Sequence, residues 1–152
     1  MDLDFDTILL AVGPRDEDSV ERLAETVAQV ALPTGATVVL THVFTGQEFR
    51  ETATMLDYPD ADASMVDEIL DRYDTVKRFE ELFEEVGVDW ERRGIVDDVA
   101  EGILSLAGEI DADRIVVSGR RRSPAGKAVF GSVSQEVLLN APCPVTYVRE
   151  GL

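Results

Sequence analysis

The residues best suited to chemistry lie between Gly119 and Ser132, where the chain reads Gly-Arg-Arg-Arg-Ser-Pro-Ala-Gly-Lys-Ala-Val-Phe-Gly-Ser. Three of the 11 glycines and four of the 14 cations fall in this stretch. Ser132 and Gln135 have the spacing of a capping box, so a helix is expected to start here with its free backbone N–H groups facing the loop. Glycines, cations and a helix N-terminus together make an anion site. The plainer alternative is that Gly119 and Gly131 only permit turns while the arginines balance an acidic surface. A Walker A loop is excluded: with Gly126-Lys127 as its Gly-Lys pair, the first glycine falls at Arg121 and the hydroxyl at Ala128. The first apolar stretch runs into Gly13-Pro14-Arg15, not into a glycine-rich dinucleotide fingerprint, which argues against an NAD site.

Other chemically capable residues are isolated. His42 closes a β-branched stretch and reads as a core or crevice-wall residue, since no Ser, Cys or carboxylate is spaced to make it a catalytic base. Cys143, between two prolines, reads as an inert buried thiol, and Trp90 as packing. The acidic runs Asp16 to Asp18, Asp57 to Asp62 and Glu80 to Glu85 read as solvated surface, with no metal cluster among them. A single Cys beside a single His supports neither an internal disulfide nor a zinc site.

Composition narrows the class further. The chain has 152 residues, 45% hydrophobic and 30% charged, which suits one domain with a buried core. No apolar run reaches the roughly 18–20 residues of a membrane span, and the start of the chain is acidic where a secretory signal is basic. A cytoplasmic protein with no membrane partner is expected. Fourteen basic against 31 acidic residues give a net charge of −17, which disfavours nucleic acid as a partner. All but two of the cations, Lys77 and Lys127, are arginine. An acid-rich, lysine-poor surface suits concentrated salt, where screening weakens self-repulsion, and points to a halophile.

The elements that must position the loop follow from apolar spacing. Buried strands are expected at Thr7 to Val12, Thr37 to Val43 and Arg114 to Ser118, and strands at the sheet edges at Val88 to Arg92 and Val145 to Val148. Helical spacing appears from Val20 to Ala31, opened by Asp18 and closed by Pro33 and Gly35. It recurs as one long stripe from Met65 to Val86 with Gly87 as its stop, then from Val99 to Ile110 behind an Asp97 cap, and from Ser132 to Asn140. Thr45 to Ala61 carries little periodicity and reads as a loop, helical only in part. Five strands alternating with four helices make an α/β domain, doubly wound and Rossmann-like, spanning residues 1–152.

The opening Ile-Leu-Leu-Ala-Val, the His-Val that ends the second strand, Ile-Val-Val-Ser-Gly, the Gly-Ser-Val helix start and the closing Cys-Pro-Val resemble the universal stress protein family over essentially the whole chain. The resemblance implies an adenine nucleotide alpha hydrolase-like fold with a five-stranded parallel sheet ordered 3-2-1-4-5, and a homodimer paired through the C-terminal strand. It also implies ATP, with Mg as its companion, held by the family pattern Gly-x2-Gly-x9-Gly-Ser/Thr. Carried over residue by residue, that gives Gly119, Gly131, Ser132 and Val133 at the phosphate end, with Ala11 and Val43 against adenine. Arg120, Arg122, Gly126 and Lys127 complete the candidate loop. Arg122 replaces the family's second glycine, the glycine spacing is one residue shorter, and Gly13 stands where adenine-binding members carry aspartate. These changes are expected to move recognition from the base toward the phosphates. Three functions follow in order: a nucleotide-binding regulatory module presenting its state to a protein partner, an interaction protein that binds no nucleotide, and a weak ATP hydrolase without identifiable catalytic residues.

Overall fold

Ile8, Leu9 and Leu10 are all fully enclosed, which consecutive strand residues achieve only between two layers of helix. The computed structural model describes residues 1–14, 16–119 and 131–149 and places them in that arrangement. Strand β1 (Thr7–Ala11) leads through α1 (Val20–Thr34) to β2 (Thr37–Phe44). Next come α2 (Gly46–Met55), α3 (Val66–Asp71), α4 (Asp74–Val86) and β3 (Trp90–Val96). The chain continues through α5 (Val99–Glu109), β4 (Arg114–Gly119), α6 (Ser132–Asn140) and β5 (Val145–Arg149).

All pairings are parallel, and the order is β3-β2-β1-β4-β5, as the family resemblance implies. Alternation along each strand divides the core in two. Ile8, Leu10, Leu40 and Phe44 face α1 and α4, where Leu23, Val27, Phe79 and Phe83 are buried. Leu9, Ala11, Val39 and Val117 face the other way, toward Ile103, Leu106 and Val137 of α5 and α6.

Several sequence expectations need correction. Thr45–Ala61 contains a regular helix, α2, opened by Thr45, whose hydroxyl accepts from the N–H of Glu48 at 3.1 Å. Thr45 and Glu48 have capping-box spacing, a signal masked by the polar residues that follow. The single stripe from Met65 to Val86 is two helices, broken at Arg72 and Tyr73, and Gly87 closes the second in a left-handed conformation. Its apolar spacing survives the break because both helices pack on the same face of the sheet. The cap of α5 is Asp98, not Asp97, and α1 begins after Ser19 because Asp16–Asp18 form a 3-10 turn of their own. Helix α6 starts at Ser132 as expected, but Gly131 is its cap residue and no side chain closes a capping box.

The edge strand starts two residues later and extends further than expected, because Val88 is buried in the connection before it. Two acids assigned to solvated runs are buried: Asp16, and Glu80, whose carboxylate takes Arg92 Nη1 at 2.9 and 3.0 Å. Arg92 also reaches Asp71 at 2.8 Å, tying the edge strand to both helices that follow the Thr45–Ala61 stretch.

Candidate functional site

From β1 the sheet grows outward through β2 and β3, then on the opposite side through β4 and β5. The helices therefore part between β1 and β4, beyond the carboxyl ends of the strands, and leave a crevice. A cavity of about 570 Å³ occupies it. The described residues singled out in the sequence converge there from four elements: Ala11 and Gly13 at the end of β1, Val43 from β2, Gly119 from β4, and Gly131, Ser132 and Val133 at the start of α6. Arg120, Arg122, Gly126 and Lys127 lie outside the described residues.

The cavity has two chemically different ends. Toward α6, backbone N–H groups of the first turn have no partner within the helix and carry the positive end of its dipole. Toward β1 and β2, two carboxylates line the wall, Asp16 and Glu48. Ala11, Val43, Ile103 and Val117 supply apolar surface between them.

Asp16 was not found by sequence reasoning. It is 1% exposed, and the turn Asp16–Asp18 folds it back beneath the strand ends. Its Oδ2 accepts from the Gly13 N–H at 2.6 Å, and its Oδ1 accepts from the Ser118 hydroxyl. The side chain thus bridges the ends of β1 and β4. A Cβ placed on Gly13 would lie 3.4 Å from that same Oδ2, so the carboxylate occupies the volume beside Gly13 that a longer side chain there would need. A carboxylate therefore stands beside Gly13, supplied from three residues further on.

Glu48 was missed for a related reason, since Thr45 to Ala61 reads from its spacing as a loop helical only in part, with no place fixed for a helix. The reading of His42 as lacking a carboxylate partner is overturned: His42 Nε2 lies 2.7 Å from Glu48 Oε1. The His42 Nδ1–H donates to the Val12 carbonyl at 2.7 Å, because a carbonyl can only accept. His42 is 1% exposed, with Phe44 edge-on at 4.4 Å and the ring of Tyr73 tilted at 4.7 Å. Burial, followed by the charges of Glu48, Asp16 and Glu17, pushes the Tyr73 phenol up to about 12.

Gly119 has a packing reason for its identity. A Cβ there would run into the phenol of Tyr147 on β5, so the strand end accepts only glycine while that ring stays in place. Cys143 is half-buried rather than buried; burial and the charge of Asp113 push its thiol up, away from the reactive thiolate. Trp90 packs partly buried against the core on the α1 and α4 side. Among the described residues, no group of three His, Cys, Asp or Glu side chains could hold a metal ion.

Comparison with known proteins agrees with this architecture. The universal stress protein family profile matches residues 4–149. A universal stress protein of Mycolicibacterium smegmatis is 33% identical over 101 residues, covering 66% of this chain and 78% of that protein. Among solved structures, a universal stress protein from Archaeoglobus fulgidus superposes with a TM-score of 0.71 at 27% identity, covering 95% of this chain and 98% of the other. The universal stress protein from Archaeoglobus fulgidus in complex with dAMP gives a TM-score of 0.67 at 23% identity, with coverages of 96% and 99%. The profile match takes in every strand of the sheet and all the described cavity residues, and on that ground the chain belongs to the universal stress protein family.

Proposed function

We propose that this chain is a regulatory module that binds an adenine nucleotide in the cavity between β1 and β4 and presents its bound state to a protein partner. The observation that carries the reading is the polarity of the cavity: acceptors at the β1–β2 end, apolar walls, and N–H donors at the start of α6. A nucleotide has the matching order of donor-bearing nucleoside, flat base and anionic phosphate. The dAMP-bound relative supports an adenine ligand by analogy. Ala11 and Val43 would flank the base, with Gly131, Ser132 and Val133 toward the phosphates. Arg120, Arg122 and Lys127 would add charge to ATP, with or without Mg. The same reading carries a homodimer through β5, a cytoplasmic setting and concentrated salt, the last on the net charge of −17. Calorimetry with AMP and ATP tests it: saturable binding of either is expected, and no binding of both overturns it.

A second reading, an interaction protein without nucleotide, is favoured by one observation. Tyr147 already accounts for Gly119, so that glycine does not by itself require a phosphate nearby. Mass spectrometry of small molecules released from freshly purified protein separates the two readings. An adenine nucleotide near one per chain supports the first, and none, with silent calorimetry, the second.

A further inference from the structure

We propose that the groove between α1 and α4 docks a basic amphipathic helix of a partner protein, with its apolar side chains between the two helices and its Lys or Arg side chains on the acidic rim. The groove holds a cavity of about 480 Å³ and shares no lining residue with the nucleotide cavity, so the proposal stands apart from the nucleotide reading.

Helices α1 and α4 both run toward the amino ends of the parallel strands, so they lie side by side on one face of the sheet and end together. Ala24, Ala28 and Leu32, four residues apart along α1, face Leu82, Phe83 and Val86 of α4 across the groove. The two alanines leave room that larger side chains would fill, and the buried Phe83 closes the floor. Leu32 and Val86 stand at the end of the groove, 49% and 51% exposed. Half-exposed apolar side chains beside an apolar hollow suit a helix whose anchors recur at i, i+3 or i+4, and i+7.

The rim is negative and rich in acceptors. Glu21 and Glu25 line the groove, and among the described residues no Lys or Arg does. Glu21 pairs with Arg78, whereas Glu25 is exposed and has no ion pair among the described residues. Pro33 has no N–H, so the Gln29 carbonyl, four residues back, lacks its helical donor. Neither helix carries a cation in its last turn. The N–H groups of Gly35 and Gly87 take the carbonyls of Ala31 and Phe83, and the later carbonyls have no partner within their helices. The negative ends of two helix dipoles therefore lie next to Leu32 and Val86. Lys and Arg supply donors and positive charge to all of these groups, while their stems extend the apolar cover. A second copy of this chain would set glutamates against glutamates at this rim, and an anionic membrane would be repelled in the same way.

The test selects a display library of helical peptides about 18 residues long, five turns, on wild type, with counter-selection on Ala28→Phe, whose ring occupies the hollow. Peptides that need the open groove should carry apolar residues at i, i+3 or i+4, and i+7, together with net positive charge. Calorimetry with the leading peptide should give one site per chain and a loss of about tenfold or more in Ala28→Phe. Glu25→Lys should also weaken binding. Glu91→Lys makes the same change of charge on the opposite face of the sheet, since its neighbour Trp90 packs on the α1 and α4 side. It should leave the affinity within about twofold, because a distant exposed charge is screened. Should Ala28→Phe not fold, Leu32→Ser with Val86→Ser replaces it, both positions being half-exposed.

Failure to select any peptide that distinguishes wild type from the filled groove overturns the proposal, as does a selected set that is neutral or acidic. Equal losses in Glu25→Lys and Glu91→Lys overturn it too, since the peptide then follows the charge of the whole chain. A dimer in light scattering that Ala28→Phe dissolves gives the groove to a second copy and likewise overturns it.

Discussion

His42 Nε2 and Glu48 Oε1 stand 2.7 Å apart and join the carboxyl end of β2 to the first turn of α2. Because His42 Nδ1 must donate to the Val12 carbonyl, the short contact to Glu48 needs a proton of its own, carried by the ring or by the carboxyl. Either way a buried imidazole depends on one side chain of a peripheral helix. Removing that partner leaves a polar atom unsatisfied. Glu48→Ala should therefore lower unfolding stability by about 1–3 kcal/mol, measured in urea. Glu48→Gln should lose much less, since its amide N–H can donate to a neutral Nε2. Equal stability of Glu48→Ala and wild type would show that water replaces the carboxylate.

Tyr73 makes the alkaline limit legible. Its phenol is pushed from an ordinary value of 10.0 to about 12, first by burial and then by the carboxylates of Glu48, Asp16 and Glu17. A raised folded value means that the neutral form is favoured in the fold. The stability it contributes is whole below about 10 and drains away as pH rises toward about 12. Phenolate absorbance during a pH titration should show one of the three tyrosines ionising late, with unfolding. Tyr73→Phe should abolish that late step and move alkaline unfolding to higher pH. An unchanged titration in Tyr73→Phe would assign the late step elsewhere.

The strands were readable because a parallel sheet buried on both faces forces unbroken apolar runs, such as Thr7 to Val12 and Thr37 to Val43. The cavity residues at the strand ends and at the start of α6 came from the family resemblance, through the positions and the Gly-Ser motif that this chain shares with it. What escaped was long-range polar pairing. Asp16 sits in an acidic run that in composition looks like solvent-facing surface, and only the turn after Gly13 brings it to Ser118, 102 residues away. Glu48 escaped because α2 buries few residues, Phe49 and Ala53, and so leaves a faint stripe. The break at Tyr73 was hidden because apolar spacing continued across it.

Salt should matter more to this protein than to a neutral one. With −17 per chain, self-repulsion opposes folding until counterions screen it. The screening length falls from about 10 Å at 0.1 M to about 3 Å at 1 M. The melting temperature should climb steeply with KCl across that range. A flat profile would remove the halophile reading.

Strand β5 ends the sheet, with a row of backbone groups on its outer side that β4 does not pair. Of its residues only Val148 is buried, and Val145 and Tyr147 remain partly open. Such an edge invites a second copy, related by a twofold axis. Light scattering should give twice the chain mass at micromolar protein in molar salt. A monomer there and in low salt alike contradicts the pairing.

Gly119 allows packing and ligand roles to be separated. The ring of Tyr147 fills the space of a Cβ, so Gly119→Ala forces either the ring or the strand end to move. Overpacking of this kind costs about 1–3 kcal/mol. Residues in contact do not act independently, so the cost should shrink when the ring is removed first. In a Tyr147→Ala background, Gly119→Ala should be close to neutral, measured by urea unfolding of all four proteins. Nucleotide affinity in the same set then answers a second question. If Gly119 serves only the ring, Gly119→Ala with Tyr147→Ala should bind AMP as Tyr147→Ala alone does. If the backbone at Gly119 must also approach the ligand closely, affinity should fall although stability is restored. Equal destabilisation by Gly119→Ala in both backgrounds would remove the ring as the reason for this glycine.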